Sequence, residues 1–173
     1  MFRKINLRTT LVRAATAAIL FCIPVFFYIR HASYKGSWLL YVGSFLFMAA
    51  MFVNNLVENK KRGENESTVA LMFISLVTTV TSIIFCCVIC FGMLALFVPG
   101  YLSPGPTEKV LTDVPVNSII DKTGGMSFDI FMAATIINFS VGSFAGVILP
   151  FYSKRNQTRD SRDPAPLHQK GVK

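Results

Sequence analysis

Apolar residues in this chain come in four long runs, and almost all of the charge collects in the gaps between them. The runs cover residues 11–29, 38–57, 69–98 and 128–152. The first is uncharged from Ala14 to Ile29, and the third is thirty residues long with no Asp, Glu, Lys, Arg or His. The fourth carries one acid, Asp129, near its start. A membrane-spanning helix needs about 20 mostly apolar residues, whereas a surface helix of a soluble domain keeps a polar face over that length. The pattern predicts an all-α fold, an integral membrane four-helix transmembrane bundle over 1–152. An outer loop spans 100–127, and a basic, disordered tail follows at 153–173.

Composition agrees. Of the 173 residues, 53% are AVILMFWYC types and 15% are charged; mean hydropathy is +0.53. Such a chain is neither disordered nor an ordinary soluble enzyme domain. The first run follows Arg3, Lys4, Arg8 and Arg13, as a signal peptide would. It ends, however, in Phe26-Phe27-Tyr28-Ile29-Arg30-His31 rather than a small-x-small cleavage site, so an uncleaved first helix is expected.

The net charge of +8 sets an orientation. Cytoplasmic segments carry the excess of Lys and Arg. Thirteen of the 17 basic residues fall in the N-terminal segment, the second loop and the tail, which places both termini in the cytoplasm. Asn-x-Ser/Thr sequons begin at Asn65, Asn138 and Asn156, none of them in the loops assigned outside. A bacterial cytoplasmic (inner) membrane is the expected location. The basic tail suits anionic headgroups, and no nucleic-acid partner is needed to explain it.

In a bilayer, helices meet through small residues and interhelical hydrogen bonds. The fourth run places Ala134, Asn138, Gly142, Gly146 and Pro150 at steps of four, including a G-x-x-x-G motif. This stripe packs within the bundle or forms a seam to a second copy or another membrane protein. Asn138 is expected to hydrogen-bond to a neighbouring helix. The third run has Ser75, Thr79, Ser82, Cys86 and Cys90 on one face, an interior packing face or the lining of a path. Pro24 removes a backbone donor and invites a kink in the first helix. The short first loop predicts an antiparallel hairpin of the first two helices. The third loop holds Val110, Leu111, Val114, Val116, Ile119 and Ile120 and is too apolar for a free linker. It is expected to lie over the helix ends.

Little chemistry is encoded. Cys87-Val88-Ile89-Cys90 is a C-x-x-C. Length, four spans and inside termini resemble the quinone-coupled disulfide-forming oxidoreductases of bacterial membranes. That family places its C-x-x-C near the outer end of the second helix and a further cysteine pair in the longer outer loop. Here the motif lies in the third helix, and residues 99–127 contain no cysteine, so no thiol relay can be drawn. His31 and His168 fall on opposite sides of the expected membrane and complete no metal site with the cysteines. Asp129 suits the positive end of a helix dipole, with Ser127 as its cap. The central membrane carboxylate of small multidrug exporters, the tryptophan-and-cysteine loop of claudin-like proteins and the loop cysteines of tetraspanins are missing.

The leading reading is a non-enzymatic accessory or assembly protein acting through helix–helix or lipid contacts, with no cofactor and no metal. The alternative is a subunit of a small transporter or channel. The remote one is a membrane thiol oxidoreductase using Cys87 and Cys90.

Overall fold

A computed structural model describes residues 7–62, 67–115 and 121–160, the side chains of 62 and 153–160 excepted. Among the described residues the secondary structure is helical, with four helices long and apolar enough to cross a membrane. Helix α1 is Leu7–His31, α2 is Trp38–Arg62 and α3 is Thr68–Phe97. The last rod comprises α4 (Met126–Met132), one π turn (Ala133–Ile137) and α5 (Asn138–Asp160). The tail beyond residue 160 and the positions of Val116, Ile119 and Ile120 lie outside the described residues.

The expected hairpin forms: α1 packs along α2, joined by a 3-10 turn at Tyr34–Ser37. α1 also packs on α3, and α5 packs on both α2 and α3. The helices are therefore arranged α1–α2–α5–α3 around the bundle, with α1 diagonal to α5. Helix α1 runs through Pro24 without ending. Its buried face is built from small and large residues in alternation, including Ala14, Ala17, Ala18, Phe21 and Val25. Ser67 starts α3, its hydroxyl accepting from the Ala70 N–H at 3.2 Å, which satisfies one of the orphan donors of the first turn.

Helix α2 extends past the expected end at Val57 and carries Glu58 inside the bundle, 8% exposed. Glu58 is held there by an ion pair with Arg13 of α1. The two residues are 45 positions apart, so each on its own reads as a flanking charge.

Residues 98–115 and 121–125 lie at the end of the bundle where α1 ends and α4 begins. Leu111 is buried, and Val114 packs on the core from the edge. The Thr112 N–H donates to the Ala32 carbonyl at 2.9 Å, and the Tyr34 N–H to the Thr112 carbonyl at 3.0 Å, forming a parallel bridge between Ser33 and Thr112. Lys109 Nζ donates to the Arg30 carbonyl at 3.1 Å. Lys122 binds the carbonyls of Tyr101 and Ser103 and stands 5.2 Å from the Tyr101 ring centroid.

Candidate functional site

The small residues of α3 and α5 meet. A Cβ placed on Gly142 would lie 2.5 Å from Thr79 Cγ2, and one on Gly146 would lie 2.5 Å from Ser75 Oγ. Both distances are shorter than a Cβ contact allows, so the α5 backbone at these glycines packs directly against the Thr79 and Ser75 side chains. While the buried Ser75 hydroxyl is unpartnered, two α3 hydroxyls turn back on their own helix, Thr79 donating to the Ser75 carbonyl at 3.0 Å and Ser82 to that of Thr78 at 2.8 Å. This is the local solution available to Ser and Thr in a helix. Ser82 Oγ also lies 4.0 Å from Met51 Sδ on α2. Ala134 is buried in the π turn.

Asn138 is fully buried, and neither its Oδ1 nor its Nδ2 has a protein hydrogen-bond partner. The interhelical bond expected from sequence is not made.

Cys86 and Cys90 leave this seam and face α1. Fifteen residues separate Ser75 from Cys90; at 3.6 residues per turn the stripe drifts about 60°, away from α5. The Cys22 thiol neighbours those of Cys86 and Cys90, forming a buried three-thiol cluster between α1 and α3. All four cysteines are free. Cys87 is half-buried outside this grouping, so the C-x-x-C spacing does not define the thiols that meet across helices. Among the described residues no group of three His, Cys, Asp or Glu is arranged to hold a metal.

The loop end carries the other polar constellation. The Tyr28 hydroxyl on α1 donates to Asp129 Oδ2 on α4 at 3.2 Å. Tyr28 is fully buried and Asp129 half-buried. Asp129 lies in the first turn of α4, as expected, but Ser127 is not the cap. The N-cap is Gly125, in the left-handed region at φ +96°, where glycine carries no Cβ penalty. Asp121 braces the turn before the helix: its Oδ1 accepts from the Thr123 N–H at 2.8 Å, the Thr123 hydroxyl at 2.6 Å and the Gly125 N–H at 3.0 Å. The Thr123 hydroxyl oxygen in turn accepts from the Ser127 N–H at 3.0 Å. Burial alone would raise the Asp121 carboxyl; the donors from Thr123, Gly125 and Phe128 outweigh it and hold the group below its ordinary range.

Beside Asp129 is a cavity of about 240 Å³, bounded by Tyr34 and Ser37 of the 3-10 turn, Tyr41 of α2, Phe128 of α4 and the π turn. In a π turn one extra residue is accommodated and a helix face is re-aimed, an arrangement frequent at functional sites. The Asn138 N–H reaches back to the Ala133 carbonyl, and the Thr135 hydroxyl donates to the Phe131 carbonyl at 2.6 Å. Apolar patterning did not reveal this cavity, because its walls come from three separate segments. The sole hint was an acid placed in an otherwise apolar run.

No protein-family model matches the chain, and no curated protein or solved structure matches it either.

Proposed function

We propose that this chain is a four-span membrane protein that acts without catalysis, as an accessory or assembly subunit held by lipid and helix contacts. The observation that carries this reading is the placement of large apolar side chains. Ile19, Ile23 and Phe27 on α1, Phe45 on α2, Ile84 and Val88 on α3, and Phe144 and Val147 on α5 all face outward. Every long helix has such a face, while small residues such as Ala17 and Ala18 of α1, Ser44 of α2, Ser75, Thr79 and Ser82 of α3 and Ala145 of α5 are buried. A folded chain in water cannot sustain that arrangement, whereas a bilayer solvates it. The glycine face of α5 is filled by Thr79 and Ser75 of the same chain. A partner helix would therefore meet the outward face of α5, at Phe144 and Val147.

The orientation follows from the basic residues, with both termini and residues 63–66 on the cytoplasmic side of an inner-membrane-like bilayer. Reporter fusions after residues 65, 105 and 160 test it. Cytoplasmic signals at the first and last and an external signal at 105 are expected, and the opposite pattern overturns the orientation. Copurification of a defined membrane partner after crosslinking supports the accessory role. Steady solute flux in vesicles holding the pure protein, abolished by Asn138→Ala without loss of folded protein, replaces it with the transporter reading.

A further inference from the structure

We infer that the cavity beside Asp129 is a binding site for an organic ammonium group. The site stands on the fold alone and is independent of the accessory role proposed above. Its walls are Tyr34, Ser37, Tyr41 and Phe128 together with the π turn, and Asp129 is its one carboxylate. Among the described residues the ion pair is Arg13–Glu58, at the other end of the bundle, so no cation pairs with Asp129. Asp129 therefore enters the cavity as a carboxylate whose hydrogen-bond partner is the Tyr28 hydroxyl.

The kind of cation follows from the walls. An alkaline-earth ion needs six or more oxygen ligands, and no cluster of acids here supplies them. Aromatic faces with one carboxylate suit an alkylammonium, which gains both charge pairing and cation–π contact. About 240 Å³ is below the roughly 300–1,000 Å³ of sites for drug-sized ligands, so a small head with a short stem fits. That chemistry has two sources, the ammonium head of a zwitterionic lipid and a free amine or quaternary ammonium. The Tyr28 hydroxyl, donating to Oδ2, fixes the carboxylate from the buried side and makes Tyr28 a positioning residue.

The test uses the full chain in maltoside micelles, titrated with choline and with ethanolamine. Trp38, the single tryptophan, follows Ser37 in the cavity wall, and its fluorescence reports occupancy; calorimetry gives an independent reading. Saturable binding of at least one probe is expected, weakened tenfold or more in Asp129→Asn. Tyr41 is 65% exposed, so Tyr41→Ala leaves the fold intact and is expected to weaken binding severalfold; it carries the test should Asp129→Asn fail to fold. In nanodiscs the sources separate. Loss of the choline signal in phosphatidylcholine but not in phosphatidylglycerol assigns the site to a lipid head, and equal signals in both assign it to a free amine. Absence of saturable binding by folded wild-type protein in micelles, or binding unchanged in both folded variants, overturns the proposal.

Discussion

The Tyr28 hydroxyl donates to Asp129 Oδ2 at 3.2 Å, tying together α1 and the last rod, which otherwise sit on opposite corners of the bundle. A buried phenol requires such a partner. Tyr28→Phe is expected to lower stability by about 1–2 kcal/mol, read as a shifted unfolding midpoint in detergent. Asp129→Asn keeps an acceptor in place and should cost less.

The glycine contacts give a sharper expectation. Gly142→Ala puts a methyl 2.5 Å from Thr79 Cγ2, and Gly146→Ala puts one 2.5 Å from Ser75 Oγ. Overpacking of this kind costs about 1–3 kcal/mol. Because the clash is within one chain, Ser75→Gly should restore most of the loss in Gly146→Ala, a coupling that a double-mutant cycle isolates. Loss of a dimer with no change in monomer stability would falsify the intramolecular assignment.

Arg13 and Glu58 form an ion pair whose side chains are only 16% and 10% exposed. Removing Glu58 strands the Arg13 charge, at about 3–5 kcal/mol. Glu58→Ala should be strongly destabilising. The paired apolar replacement Arg13→Met with Glu58→Leu should recover most of the difference, measured by the same detergent unfolding.

The four long helices were legible in the sequence because each apolar run exceeds what a soluble helix tolerates; of the apolar loop positions, Leu111 is buried and Val110 is exposed. What escaped were relationships between distant positions. Nothing local to Glu58 signals Arg13, 45 residues away. The C-x-x-C spacing pointed to Cys87 and Cys90, whereas Cys22 meets Cys86 and Cys90, since a helix turned toward a new neighbour selects thiols by angle rather than by motif. The π turn at Ala133–Ile137 contains neither Gly nor Pro. Asn138 defied the expectation of a partner: neither its Oδ1 nor its Nδ2 is hydrogen-bonded.

The same thiols yield an accessibility test. Cys22, Cys86 and Cys90 are buried and Cys87 is half-buried. A membrane-permeant maleimide should label native protein at Cys87 first, and Cys87→Ser should abolish the fast phase. Unchanged fast labelling in that variant would mean that the α1–α3 interface opens readily.

Asp121 makes the loop end sensitive to acid. Its carboxyl lies below the ordinary range in the folded chain, because donors from Thr123, Gly125 and Phe128 outweigh the opposing effect of burial. A depressed folded value means that the unfolded chain takes up the proton first. The stabilisation is therefore complete above the unfolded carboxyl range near pH 4, and is lost as pH falls through the lower folded value. Asp121→Ala should cost about 1–2 kcal/mol at neutral pH, the cost of losing the hydrogen bonds it accepts, and the penalty should shrink towards acid. Hydrogen exchange at Thr123 and Gly125 localises the effect: both amides should exchange faster in the variant while the middle of α3 is unchanged. Equal acceleration along α3 would place Asp121 in global stability rather than in closure of the loop end.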